Sequence, residues 1–447
     1  MADTYSQTSL ESPTQPPLIK KQVTADPKHK SLEDLRAQEK DSINVWGLCK
    51  IASAQRNGCP CVCDREGIHI GSSNLVAFID FDDGVTWVAR MPLQSSFMLS
   101  LEHTKFHEHM ESMITTMEYV AQTTSVPVPS VLAWDPTCDN LICRPYIFLE
   151  YIPGDNFLYH VESLDDATLR KIILQWADYT MQLASLRFNK IGSLQRDAQG
   201  VITVNRLLAP SNILADDSRI YMNGPFHSTA DYLLCGSSAK RLNESKLNRR
   251  STYGNHRPLS TLIDSMLPFM LEPELINGPF VLHHPNLGAN NILINPQTGD
   301  ITAILGWEWA AVLPLQSHIY VPDELNYDFL PCEEIEMLPG GSSSNGWKIE
   351  FSRRFRTLYE YGLMASAERM SLDYPIEDVL DRSLMYTMYE KAALSIEGER
   401  YFPALWDHVF GTDVSYSTAL TRMRFDGRHR PRRLRYNLSD AHSWLRD

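Results

Sequence analysis

A polar loop between short apolar runs holds the side chains best suited to chemistry. Phe280-Val281-Leu282 lead into His283-His284-Pro285-Asn286-Leu287-Gly288-Ala289-Asn290-Asn291, and Ile292-Leu293-Ile294 follow. A Pro296-Gln297-Thr298-Gly299-Asp300 turn comes next, then Ile301-Thr302-Ala303-Ile304-Leu305 and Gly306-Trp307-Glu308. The spacing His284-x-Asn286-x-x-x-x-Asn291 sets an imidazole and two amides on a loop clamped between strands. Phosphoryl transfer needs few parts: donors around the phosphates, a carboxylate for the cation, and a group that orients or deprotonates the acceptor. A clamped polar loop can supply them from rigid elements. His283 and His284 are neighbours, so only one is expected to face a cleft. The strand after the loop favours Asn291 over Asn290 as the inward amide.

The elements that would position this loop are legible from periodicity and turn residues. Ile68, Ile70 and Asn74-Leu75-Val76-Ala77-Phe78-Ile79 run into Asp82-Asp83-Gly84, a hairpin turn, and Val85-Thr86-Trp87-Val88-Ala89-Arg90-Met91-Pro92 returns. Gly71-Ser72-Ser73-Asn74 lies between strand-like pieces, where small residues turn the chain or let its backbone approach a ligand. Residues 102–121 have a helical pattern, and Ser125-Val126-Pro127-Val128-Pro129 stops it. Tyr146-Ile147-Phe148-Leu149-Glu150-Tyr151-Ile152 reads as a buried strand that ends at Pro153-Gly154. Leu169, Ile172, Ile173, Trp176, Tyr179 and Leu183 then recur at helical spacing. Residues 186–258 read as irregular, 259–270 as helix, and 348–400 as mostly helix.

Composition narrows the classes. The chain has 447 residues, 43% of them hydrophobic, enough for one large bilobal unit. A formal net charge of -14 argues against non-specific nucleic-acid binding. The eight cysteines are too dilute for a disulfide scaffold, and Cys59-Pro60-Cys61-Val62-Cys63 has no second pair at zinc spacing. The first residues lack a secretory pattern and no run of 18 apolar residues exists, so no membrane span is expected and the cytoplasm is the default location. Residues 1–40 read as a disordered polar arm, 41–153 as an N-lobe, 154–410 as a C-lobe, and 411–447 as a basic tail with seven arginines between Arg422 and Arg435.

Taken in order, these segments resemble the aminoglycoside phosphotransferase family, especially its large fungal branch, over roughly residues 45 to 410. Gly71 to Asn74 with Phe81-Asp82-Asp83-Gly84 and Val88-Ala89-Arg90-Met91-Pro92 looks like the family's nucleotide-lobe hairpin. Leu149-Glu150-Tyr151-Ile152-Pro153-Gly154 looks like its interlobe hinge. Phe188-x-x-Ile191-Gly192-Ser193-Leu194 and Gly224-Pro225-Phe226 fit the fungal branch. The resemblance implies an α+β, protein-kinase-like bilobal fold, with a small β-rich N-lobe carrying one helix and a large, mainly helical C-lobe. It implies ATP as cofactor, held by Gly71, Ser72, Ser73, Arg90, Glu150 and Tyr151. It places His284, Asn286 and Asn291 in the catalytic loop, and Asn291 and Glu308 near magnesium.

Two positions depart from the family's pattern. The catalytic loop there reads His, any residue, Asp, four residues, Asn; here the Asp position is Asn286. An amide cannot take a proton as a carboxylate does. The next motif there ends Asp-Trp-Glu; here the metal-holding Asp is Gly306. For the helix glutamate that the resemblance pairs with Arg90, one register puts Met113 at its place, and Glu111 is the nearby candidate, about 200° round the helix from it. These losses favour a catalytically weak or inactive, pseudokinase-like protein that binds a nucleotide, another ligand or a protein partner. The alternative is an ATP-dependent phosphotransferase acting on a small-molecule hydroxyl with rearranged metal ligation.

Overall fold

Alternation of apolar and polar residues drives the first sheet. The computed structural model describes residues 38–71, 73–93, 103–208, 224–235, 259–326, 346–394, 402, 405 and 406. The polar arm up to residue 37, Ser72, Cys332 and the basic tail lie outside them. The chain divides into two compact units, Met1–Ile43 and Asn44–Asp447. In the first, residues 38–41 form a helical turn, and the Ser42 hydroxyl donates to the Glu39 carbonyl at 2.7 Å.

The second unit opens with α1 (Val45–Gln55), capped by the Asn44 side chain, which accepts from the Gly47 amide. A six-stranded antiparallel sheet follows: β1 (Cys61–Val62), β2 (His69–Ile70), β3 (Asn74–Phe81), β4 (Thr86–Pro92), β5 (Val131–Asp135) and β6 (Tyr146–Glu150). Its order is β1-β3-β4-β6-β5, with β2 also on β3. In β3 the side chains of Leu75, Ala77, Ile79 and Phe81 are buried while the alternate ones are not. Pairing of Val76 with Arg90 and of Phe78 with Val88 therefore puts all four on the other face. A single long helix, α2 (His103–Thr123), lies in sequence between β4 and β5.

Beyond the hinge come β7 (Asp155–Asn156), α3 (Phe157–His160) and α4 (Asp166–Ser185). Then come β8 (Arg187–Phe188), β9 (Ser193–Arg196), β10 (Ile202–Asn205), α5 (Leu259–Met270), β11 (Phe280–His283), β12 (Ile292–Asn295), β13 (Asp300–Ile304), β14 (Ala311–Pro314) and α6 (Leu315–His318). The last helices are α7 (Gly346–Arg369) and α8 (Ile376–Leu394). The fold is thus the α+β bilobal one that the sequence implies. The hairpin β9–β10 falls in the stretch expected to be irregular, because its strands are only four residues long. The helical run expected over 348–400 breaks at 370–375, where Ser371 takes φ 55°.

The C-lobe core forms around α4 and α7. Trp176 is fully buried, edge-on to Tyr359 at 5.6 Å, and the Thr180 hydroxyl lies 3.0 Å from that of Tyr359. Gly362 lets the two helices close: a Cβ there would sit 2.7 Å from the Ala177 methyl. Gly to Ala inside a helix normally gains about 1 kcal/mol. Here overpacking, worth roughly 1–3 kcal/mol, opposes it. Gly362→Ala is expected to lower the thermal unfolding midpoint despite its better helix propensity, as scanning calorimetry would show.

Candidate active site

The polar loop leaves β11 and returns through β12, and its backbone is held from four sides. His284 is 1% exposed. Its Nε2 lies 3.0 Å from the Leu305 carbonyl and its Nδ1 accepts the Asn286 amide at 3.2 Å, so the ring carries its proton on Nε2. Burial pulls its pKa down to about 4, with Leu305 and Glu308 acting against that. A neutral ring clamped at both nitrogens braces the loop. Glu324 accepts the Ala289 amide at 2.9 Å, and a Cβ on Gly288 would meet its Oε1 at 2.7 Å. Asn156, the cap of α3, gives its amide to the Asn290 carbonyl at 2.7 Å. Asn291 donates to the Asn286 carbonyl at 2.9 Å. The side chain of Asn286 stands exposed at the loop's tip.

Gly306 adopts φ +83°, a backbone state that most side chains resist. A Cβ there would lie 2.8 Å from Cγ, Nδ2 and Oδ1 of Asn291. The Asn291 amide thus fills the space beside Gly306. An aspartate at 306 would have to move it.

Two residues on, Glu308 turns toward the sheet. Its Oε1 accepts from Arg90 at 2.5 Å and from the Asn74 amide at 3.1 Å. Burial pushes the carboxyl up, but Arg90 and a backbone hydrogen bond outweigh it and leave the group below its ordinary value. Arg90 lies on β4 and Asn74 begins β3, so one carboxylate ties both strands to the C-lobe segment. The helix α2 supplies no acid here. Met113 is buried, and Glu111 is half exposed with His107 at 3.9 Å. The residue α2 sends to this corner is His109, stacked on Trp309 at 3.9 Å, with burial lowering its pKa to about 4. Trp309 accepts φ 67°, a strained state for an aromatic residue, at the point of that contact.

The nucleotide-side residues are more scattered. The Gly71 amide donates to the Asn74 carbonyl at 2.8 Å, closing a tight turn whose tip includes Ser73. Ser72, expected at that tip, is outside the described residues. The Glu150 amide donates to the Ser130 carbonyl, and its carboxylate accepts from the Ser130 hydroxyl at 2.8 Å. Tyr151 follows, 42% exposed and edge-on to Phe78 at 5.9 Å. The structure therefore brings together Arg90, Glu308, Asn291, Asn286 and His284, while Glu150 faces Ser130.

Magnesium prefers near-octahedral oxygen ligation through one or two carboxylates. Gly306 offers no oxygen, Glu308 shares its carboxylate with Arg90 and Asn74, and Asn291 adds one amide oxygen. Among the described residues no group of three His, Cys, Asp or Glu side chains is placed to hold a metal. The residues present do not fit a magnesium cage.

Asn74, His109, Trp309, Glu324 and Asn156 were not singled out as site residues from the sequence. Only Asn156 had a local signal: an Asn placed just before a helix start, where it caps. The others act across long sequence separations.

A family model described as "Phosphotransferase enzyme family" matches residues 64–315, and the chain belongs to that family. A subtelomeric hrmA-associated cluster protein of Aspergillus fumigatus is 22% identical over 360 residues, covering 68% of each chain. "Altered inheritance of mitochondria protein 9, mitochondrial" of Meyerozyma guilliermondii is 32% identical over 306 residues, covering 57% of this chain; the match spans 49% of that relative's length. Among solved structures, a ternary complex of aminoglycoside phosphotransferase APH(4)-Ia with ADP and hygromycin B has a TM-score of 0.41 at 15% identity, covering 79% of this chain and 98% of that one. Macrolide 2'-phosphotransferase MphH from Brachybacterium faecium has a TM-score of 0.36 at 16% identity, covering 78% and 98%.

Buried histidines around the site make stability depend on acid. His109, His284 and His318 are each lowered to about 4, chiefly by burial. A lowered folded-state pKa contributes stability that is present above the unfolded value, about 6.5, and is lost as pH falls toward 4. The unfolding midpoint should hold steady above pH 6.5 and fall progressively below it. His318→Gln keeps a donor for the Thr180 carbonyl, which His318 meets at 2.8 Å, and should flatten part of that slope in thermal scans across pH.

Proposed function

We propose that this family member is a catalytically weak or inactive, pseudokinase-like protein whose cleft binds a nucleotide, or another anionic ligand, without magnesium. One observation carries this reading: the carboxylate of Glu308 is committed to Arg90, while Asn291 fills the space beside Gly306. Arg90 is the group suited to phosphate, because its fork matches oxyanions. Here it already holds an internal anion. On the acceptor side, Asn286 can orient a hydroxyl by hydrogen bonding but cannot remove its proton. Single electrostatic contributors to such transition states are worth roughly 3–4 kcal/mol, so two lost carboxylates compound.

The protein then acts through what it binds, as a scaffold or as the non-catalytic partner of an enzyme, and the cytoplasm is its proposed location. Among the described residues no helix is long and apolar enough to cross a membrane. Transfer of the γ-phosphoryl of ATP to a small-molecule hydroxyl, with the metal held by rearranged ligands, is the reading that the following experiment would restore.

Titration calorimetry with ATP, with and without magnesium, tests the proposal on the native chain, on Glu308→Gln and on Asn286→Asp combined with Gly306→Asp. The native affinity should not change with magnesium. Glu308→Gln should release Arg90 and tighten metal-free ATP binding about tenfold, ~1.4 kcal/mol. The double variant should gain magnesium dependence and lose thermal stability, since the new aspartate must displace Asn291. Tenfold tightening of the native chain by magnesium, together with phosphate transfer to any acceptor hydroxyl, would overturn the reading.

A further inference from the structure

Four of the eight cysteines converge on one corner of the N-lobe, away from the cleft. Cys49 lies on α1, Cys61 on β1, and Cys59 and Cys63 flank that strand. The Cys61 thiol donates to the Cys49 carbonyl at 3.3 Å, and the two thiols influence each other's ionisation. The Cys49 sulfur accepts from the Cys63 amide. Cys59 is engaged differently: it hydrogen-bonds Arg56, which itself pairs with Asp83 at 2.5 Å. All four are free thiols, and each keeps part of its surface accessible.

We propose that Cys49 and Cys61 are a modification site: a dithiol that a hydroperoxide oxidises to a disulfide joining α1 to the edge strand β1. Burial raises both thiols, but not alike. Cys61 is pushed up to about 11 by burial and by the charge of Cys49, whose proton-donating neighbour it is. Cys49 is raised by burial and by Cys63, while hydrogen bonds from Cys61 and Cys63 pull it back. Cys49 therefore ionises first and is the nucleophile, and Cys61 is the resolving thiol. In the first step the Cys49 sulfur attacks the peroxide, the O–O bond breaks, and the alcohol or water leaves with the thiol's proton. In the second, Cys61 attacks the sulfenic sulfur, the S–O bond breaks, and water leaves with the Cys61 proton. Two sulfurs are oxidised and one hydroperoxide is reduced. The short chain between the two residues turns back through Asn57 and Gly58, both at positive φ, and this reversal brings β1 against α1 and the Cys61 thiol to the Cys49 carbonyl.

The test uses the full, reduced chain treated with a small excess of hydrogen peroxide, followed by alkylation, intact mass and peptide mapping. The expected result is the loss of two hydrogens, one Cys49–Cys61 cross-linked peptide, a higher unfolding midpoint, and reversal by dithiothreitol. The rate should rise about tenfold per pH unit between pH 7 and 9, following the thiolate. Cys61→Ser should trap a dimedone-reactive sulfenic acid on Cys49, Cys49→Ser should abolish cross-linking, and Cys63→Ser should still form the bond. A disulfide between other cysteines overturns the proposal. Full alkylation of Cys49 and Cys61 after treatment does the same, as does one zinc ion per chain that shields both.

Discussion

Among the described residues, charge balance in the cleft depends on the pairing of Arg90 with Glu308. Arg90 comes from the sheet and Glu308 from the C-lobe segment, and they meet at 2.5 Å with about a fifth of each side chain exposed. A guanidinium taken this far from water must find an anion, because an unpaired buried charge costs several kcal/mol. With His109 as the side chain that α2 sends to this corner, Glu308 is that anion. The choice then propagates. Asn74 joins the same oxygen, which draws the start of β3 to it, and His109 stacks on the tryptophan that follows Glu308. Both lobes are thus tied through one short segment.

That arrangement also explains how the loop stays ordered without the carboxylates. His284, Glu324, Asn156 and Asn291 each occupy a backbone group of the loop, so its shape does not require a metal ion or an aspartate. Glu324 reaches the loop with its carboxyl raised by burial, and Gly288 leaves it room. A framework braced this way holds the loop's shape through contacts to its own backbone groups. The physical separation is general: backbone hydrogen bonds set the shape, while side-chain charge sets the reaction.

The N-lobe corner follows a different rule. There the packing of α1 against β1 places the Cys49 and Cys61 thiols together, and burial is the main influence on both, raising each. The cleft and the corner share the sheet: β3 runs from Asn74, at Glu308, to Phe81, opposite Cys61.

Element type and order came from local rules. Alternating residues in 74–79, the Asp82-Asp83-Gly84 turn and the helical spacing of Leu169 to Leu183 were legible because each depends on neighbours within a turn or a pleat. So was the layout of the 283–308 segment, and so were the amide at 286 and the missing side chain at 306, which are matters of residue identity. The partner of Glu308 was not legible. Arg90 and Asn74 lie 218 and 234 residues away, and no local pattern records which acid an arginine will find. The amide of Asn291 beside Gly306, the contact of His109 with Trp309 and the meeting of Cys49 with Cys61 were equally hidden. Each depends on how separate elements pack, and packing is decided by the whole chain's burial rather than by any segment's own preference.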